Sequence, residues 1–177
     1  MGIELVRHFV NTREIDQDID ELADPASAAA WLTGQGLRRP DDRPLRRPDL
    51  ERLRHVRESL RELLLANNGE PAMVDRARRD LNRAAARAAL TVRFEPSGDA
   101  ELAPSTANPA DRVIAAVLAD VHAAMHDGTW TRLKCCREDT CQWAFYDHSK
   151  NRSGSWCSMK VCGNRNKARS FRQRHAD

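Results

Sequence analysis

Cysteine is missing from the first 134 of the 177 residues; all five lie between Cys135 and Cys162. Thiol chemistry is therefore confined to a short tail. Aromatic residues are scarce at 5%, and most of them sit in or near the same tail. The core ahead of it has to be built from Leu, Val, Ile and Ala. No apolar run approaches the roughly 18 residues of a membrane-spanning helix, so no membrane partner is expected. The opening Met1-Gly-Ile-Glu-Leu-Val-Arg-His8 lacks the basic-then-apolar layout of a secretory signal, and the expected location is the cytoplasm. A glycine-rich phosphate loop and a nucleophile–base pattern are also lacking, which argues against an enzyme. His122 and His126 are four apart, but Ala123, Ala124 and Met125 leave the H-E-x-x-H metal pattern incomplete.

Acidic residues are sparse in one place only. Residues 132–177 hold 11 Lys and Arg against 4 Asp and Glu, whereas residues 1–131 hold 18 against 22. The formal charge of +3 thus averages a mildly acidic body and a basic tail. Such a tail suggests a polyanionic partner, usually nucleic acid. The excess of 25 Arg over 4 Lys fits a GC-rich genome, but that bias does not explain why acids thin out only in the tail.

What is present reads as a helical body. Asp24-Pro25 and Asn108-Pro109 each place an N-cap residue before a proline at the first helical position. Pro48-Asp49 and Glu70-Pro71 are weaker starts of the same kind. After Pro48, Leu50, Leu53, Val56, Leu60, Leu63 and Leu64 recur at helical spacing until Asn67-Asn68-Gly69 ends the run. Further helices are predicted over about 71–88 and 109–126. Between them, Leu90-Thr-Val-Arg-Phe94, Pro96-Ser-Gly98 and Ala100-Glu-Leu-Ala103 read as a short β-hairpin. Arg52, Arg54, Arg57 and Arg61 alternate with Glu51, Glu58 and Glu62, the pattern of a solvated helix face. Arg38 to Pro48 reads as a surface loop, and a short linker is placed near Asp127-Gly128. The expected division is a helical domain at 1–128, mainly α with a small β-hairpin, for sensing or dimerisation. A second, small domain at 129–177, which carries the cysteines and the basic residues, would bind nucleic acid.

In a reducing compartment clustered cysteines point to metal rather than to disulfides. Cys136/Cys141 and Cys157/Cys162 are both spaced C-x4-C, fifteen residues apart. Two equal pairs fit one structural Zn2+ per chain with four thiolate ligands and no open coordination position. Cys135 is the spare and could replace Cys136; His148 and His175 are further possible ligands. Gln142-Trp-Ala-Phe-Tyr146 reads as a strand, Asp147 to Gly154 as a turn and Ser155-Trp156 as the start of a return strand. Ser158 is a plausible N-cap of a helix continuing towards Arg174. Knuckle, hairpin and helix suggest a small α+β, treble-clef-like module that draws much of its folding energy from zinc.

Trp156-Cys-Ser-Met-Lys-Val-Cys-Gly-Asn-Arg165, with Asp147-x-Ser-Lys-Asn-Arg152 ahead of it, resembles the CGNR zinc finger, over about 132–174. Phe9-Val-Asn-Thr12, Trp31-Leu32 and the order of helices and hairpin resemble the ABATE domain that accompanies this finger. That family carries an acid before the Phe, where this chain has His8. The resemblance implies a stress-induced transcription regulator whose finger binds DNA.

At 100° per residue, Arg165, Arg169 and Arg172 fall on one ridge of the last helix. Lys160, Lys167 and Arg174 form a second, near the opposite side. Val161, Ala168 and Phe171 lie between and could pack on the hairpin. Cys162 is out of phase with that strip: either the helix shifts register near Gly163, or zinc holds the first turn separately. The two ridges, with Lys150 and Arg152 on the turn, are the candidate contacts to double-stranded DNA. Arg165 could instead bond carbonyls of the knuckle. Trp143, Phe145, Tyr146 and Trp156 could stack on bases but read first as the finger's core. The leading expectation is a DNA-binding regulator, acting as a homodimer, with a possible small-molecule ligand in the body. The alternative is a zinc-stabilised module that docks protein or RNA.

Overall fold

The computed structural model describes residues 2–70 and 72–174 of the protein. Six α-helices dominate it: α1 Ile3–Val10, α2 Pro25–Gly34, α3 Arg47–Asn67, α4 Val74–Arg87, α5 Pro109–His126 and α6 Asn164–Arg174. Three antiparallel hairpins separate them among the described residues: β1 Arg13–Glu14 with β2 Ile19–Asp20, β3 Leu90–Phe94 with β4 Ala100–Pro104, and β5 Leu133–Cys135 with β6 Ala144–Tyr146. The chain is mainly α with small hairpins, as the periodicity predicts.

Local chemistry explains three of the six helix starts. The Asp24 carboxylate accepts the amides of Ala26 and Ser27, and Pro25 sits where no amide is needed. Asn108 repeats this ahead of Pro109, and α5 spans the predicted residues. In α3 the Asp49 carboxylate reaches back to the Arg46 amide at 2.8 Å. In the body two elements escape the sequence reading, and beyond it strand β5 does too. Helix α1 is only eight residues long, yet it buries Leu5, Val6, Phe9 and Val10 on one face. The β1–β2 hairpin pairs only two residues per strand.

One core runs through the body and into the tail. Phe9, Leu32, Leu53, Leu60, Leu64 and Ile114 form its centre, and Trp130, Leu133, Cys135 and Ala144 belong to the same cluster. Gly128, in the left-handed conformation, turns the chain after α5 (φ 76°). The expected linker is thus a tight turn, and the segment beyond it is docked.

The arginine face of α3 differs from the sequence reading. Arg57 and Arg61 are each only 3% exposed. Arg57 forms a bidentate pair with Asp20 at 2.6 and 3.0 Å and also donates to the Thr12 hydroxyl. Arg61 donates to the carbonyls of Val10 and Gln142, each at 2.8 Å. Alternation with glutamate reads as a solvated face only while the opposing elements are unknown. Here α1, the β1–β2 hairpin and the tail cover it and supply the acceptors that buried guanidinium groups require.

Candidate metal centre and nucleic-acid interface

Strand β5 makes the first choice at the site. Successive side chains of a strand point to opposite faces, so Cys135 and Cys136 part company. Cys135 enters the core of the body, where burial pushes its thiol up to about 12. Cys136 turns to the other side and packs with Cys141 and Cys162, against Trp143, Phe145, Trp156 and Cys157. The alternative ligand Cys135 is thereby separated from the other sulfurs.

The Sγ atoms of Cys136, Cys141, Cys157 and Cys162 all lie within 4.8 Å of one another. Cys157 is 3.7 Å from both Cys141 and Cys162. A disulfide would hold its sulfurs at about 2.05 Å. A tetrahedral zinc with bonds of about 2.3 Å has sulfur–sulfur edges of about 3.8 Å. The donor set therefore fits one structural Zn2+ per chain. Electrostatics agree. Hydrogen bonds from the Cys141 and Cys157 thiols favour the thiolate on Cys136, and donating those bonds holds Cys141 and Cys157 in the thiol form and pushes them up. A dication at the centre lets all four ionise together. His148 is exposed, with its ring 4.9 Å from that of Tyr146, and stands outside the sulfur cluster. His175 lies outside the described residues.

The knuckle is shaped by an ion pair that the sequence reading missed. Lys134 and Asp147 are 4% and 3% exposed, and their charges meet at 2.7 Å. The Lys134 ammonium also donates to the carbonyls of Arg152 and Gly154, which fastens the turn over β5. Burial opposes the charge on Asp147, but Lys134 and the bonds from Ser149 and Gly154 outweigh it and hold the carboxyl well below its usual range. Gly154 has to be glycine, because a Cβ there would stand 2.8 Å from an Asp147 carboxylate oxygen. Strand β6 pairs with β5 in the register Leu133↔Tyr146 and Cys135↔Ala144. The expected pairing of 142–146 with Ser155-Trp156 is not formed; residues 155 and 156 run without regular structure. Here Asn68 Nδ2 bonds the Ser155 carbonyl and the Arg137 amide bonds it too.

The end of α3 holds the finger in place. Asn67 Nδ2 donates to the carbonyls of Trp130 and Leu133, and Asn68 Nδ2 to those of Cys135 and Ser155. The residues that read as a helix stop are also the docking clamp. Nothing in the local sequence marks that second role.

The register question at Cys162 resolves as a shift. Met159–Gly163 forms one π-turn, and α6 continues from Asn164. Ser158 precedes the turn in extended conformation, without a capping bond from its side chain. A π-turn holds one residue more than an α-turn, so the alignment of Lys160 with Lys167 does not carry across it. The apolar strip is not sealed against the hairpin, since Val161 and Phe171 remain 47% and 56% exposed.

The basic residues divide by their partners. Arg132 and Arg137 donate to backbone carbonyls, and Lys134 is buried, so these three serve the fold. Lys150, Lys160, Lys167 and Arg172 are exposed. Arg152 is exposed with one donor on the Thr131 hydroxyl. Arg165 faces Asp16 at 3.9 Å, and Arg169 bonds the Glu138 carboxylate. The Arg174 side chain lies outside those described. No helix among the described residues is long and apolar enough to cross a membrane.

Residues 4–127 match the ABATE model, whose family description is "Putative stress-induced transcription regulator", and residues 132–175 match that of the CGNR zinc finger. No curated protein matches the chain.

Proposed function

The chain belongs to the ABATE family and carries its zinc finger at the C-terminal end, and from that premise we propose that it is a stress-responsive transcription regulator binding double-stranded DNA through the finger. The observation that carries the reading is the split among the basic groups. Where Arg132, Lys134 and Arg137 are bonded to carbonyls or carboxylates of their own chain, Lys150, Arg152, Lys160, Lys167 and Arg172 are exposed in the zinc-finger segment. Phosphates bind such groups without sequence information, and an exposed Arg adds guanine readout in the major groove. Zinc with four thiolates contributes a charge of about −2, which leaves the segment basic.

A single finger spans few base pairs, so the proposal includes a homodimer on a two-fold site. Clefts of about 430 and 420 Å³ along α3 and α4, and one of about 350 Å³ beside Trp31 and Trp143, offer room for a small effector. The protein has no assigned catalytic role in this reading.

Binding of fluorescent duplex DNA by the zinc-loaded full chain, titrated with salt, tests the proposal. Affinity should fall steeply and linearly on logarithmic axes as salt rises. Absence of binding at low salt would overturn it. Tighter binding to single-stranded RNA, or to a protein, would favour a docking module instead.

A further inference from the structure

Glu138 is the least expected residue of the zinc knuckle. It lies between the ligands Cys136 and Cys141, its carbonyl accepts the amides of Cys141 and Gln142, and its side chain is 1% exposed. One carboxylate oxygen bonds the Arg169 guanidinium and, at 3.3 Å, the Thr140 hydroxyl. The other is buried with no hydrogen-bond partner among the described groups. Among the described residues Arg169 is therefore the one cation paired with this buried carboxylate. It comes from α6, seven residues past Cys162. Zinc joins the two cysteine pairs at the start of the helix, and Arg169 joins them again almost two turns later.

We infer that Arg169 is a positioning residue that fixes α6 on the zinc knuckle through Glu138, and that a nucleic-acid backbone meets the opposite side of the helix, around Lys167. The second half rests on the proposed function; the first does not. Arg169 and Lys167 stand 200° apart at 100° per residue, so one helix cannot present both to the same strand. If Arg169, itself 43% exposed, left for a phosphate, the Glu138 carboxylate would remain buried at 1% exposure without its cation, a cost that falls on the carboxylate and that a solvated phosphate contact does not return. Arg165 follows the same side and faces Asp16 of the β1–β2 turn. Asp18 and Asp20 of the same hairpin are paired with Arg13 and Arg57, so Asp16 is the negative charge that this flank of α6 meets from the hairpin.

The test compares Arg169→Gln, Glu138→Gln, the double variant and Lys167→Gln in the zinc-loaded full chain. Duplex binding is measured across a salt series, and amide hydrogen exchange is followed without DNA. Arg169→Gln and Glu138→Gln should each weaken binding about tenfold with the salt slope unchanged, and the double variant should be no worse than either. Lys167→Gln should lower the slope by about 0.9. Without DNA, amides 165–172 should exchange at least about tenfold faster in both single variants, while those of α3 and α5 keep their protection. If Arg169 contacts phosphate, its loss lowers the slope by about 0.9 and Glu138→Gln tightens binding, which would overturn the assignment. Unchanged exchange in α6 would overturn it as well. If the wild type binds no duplex, the DNA reading falls, and the exchange measurement still decides the role of Arg169.

Discussion

Asn11 of α1's end grips Ala144 of β6 from both sides: its Nδ2 donates to the Ala144 carbonyl at 2.9 Å, and its Oδ1 accepts the Ala144 amide at 2.7 Å. The side-chain amide thus mimics the neighbouring strand that β6 lacks on this edge. The pair spans 133 residues and joins the body to the zinc finger.

Replacing Asn11 by Ala would leave two backbone groups of a buried residue without partners. The expected loss is about 2 kcal/mol, seen as a lower unfolding midpoint in denaturant. Asn11→Asp keeps the acceptor but sets a carboxylate oxygen against the Ala144 carbonyl, so it should be no more stable than Asn11→Ala. If Asn11→Ala were as stable as the wild type, the clamp would carry no energy.

Metal analysis should return one zinc per chain. Serine at Cys136, Cys141, Cys157 or Cys162 should abolish stoichiometric binding, because three thiolates and a hydroxyl hold zinc far less tightly. Cys135→Ala should retain the metal and lose about 1 kcal/mol of stability to a small core cavity. Retained zinc in Cys136→Ser together with loss in Cys135→Ala would reverse the ligand assignment.

Acid should unfold the protein partly through Asp49. Burial alone would raise this carboxyl, but the bonds from Arg43 and the Arg46 amide, with the charges of Arg43 and Arg52, bring it down to about 2. A depressed folded-state value contributes stability that is complete above the unfolded value near 4. It disappears as the pH falls from about 4 through 2, and amounts to about 2 kcal/mol. Asp49→Asn should be less stable than the wild type at neutral pH and should lose less stability over that acid interval. Parallel pH profiles for the two proteins would rule the contribution out.

Breaking the buried Lys134–Asp147 pair should be among the most damaging single changes. Lys134→Met removes the cation that also holds the Arg152 and Gly154 carbonyls, and the expected cost is about 3–5 kcal/mol. Thermal unfolding of the zinc-loaded form reads it out, and a change below about 1 kcal/mol would contradict the burial argument.

Legibility followed the range of the interaction. Asp24-Pro25 and Asn108-Pro109 start helices through bonds spanning two or three residues, so local sequence suffices. The equal C-x4-C spacings announced a metal site for the same reason. By contrast Arg57 and Arg61 looked solvated because their acceptors, Asp20, Val10 and Gln142, are 37 to 81 residues away. Glu138 carried no signal at all beyond its charge, since its partner Arg169 is 31 residues downstream.

By itself the sequence determined that there would be helices starting at the capped prolines, one four-cysteine centre, and a basic segment behind an acidic body. These are properties of composition and short spacing. The equal spacing already favoured Cys136 over Cys135, and the tertiary structure supplies the reason: the face of β5 that meets the body carries Cys135 into the core and away from the other sulfurs. Only the tertiary structure decided which cations are consumed: burial takes a charged group out of water, so packing selects the few that find partners and leaves the rest to the solvent.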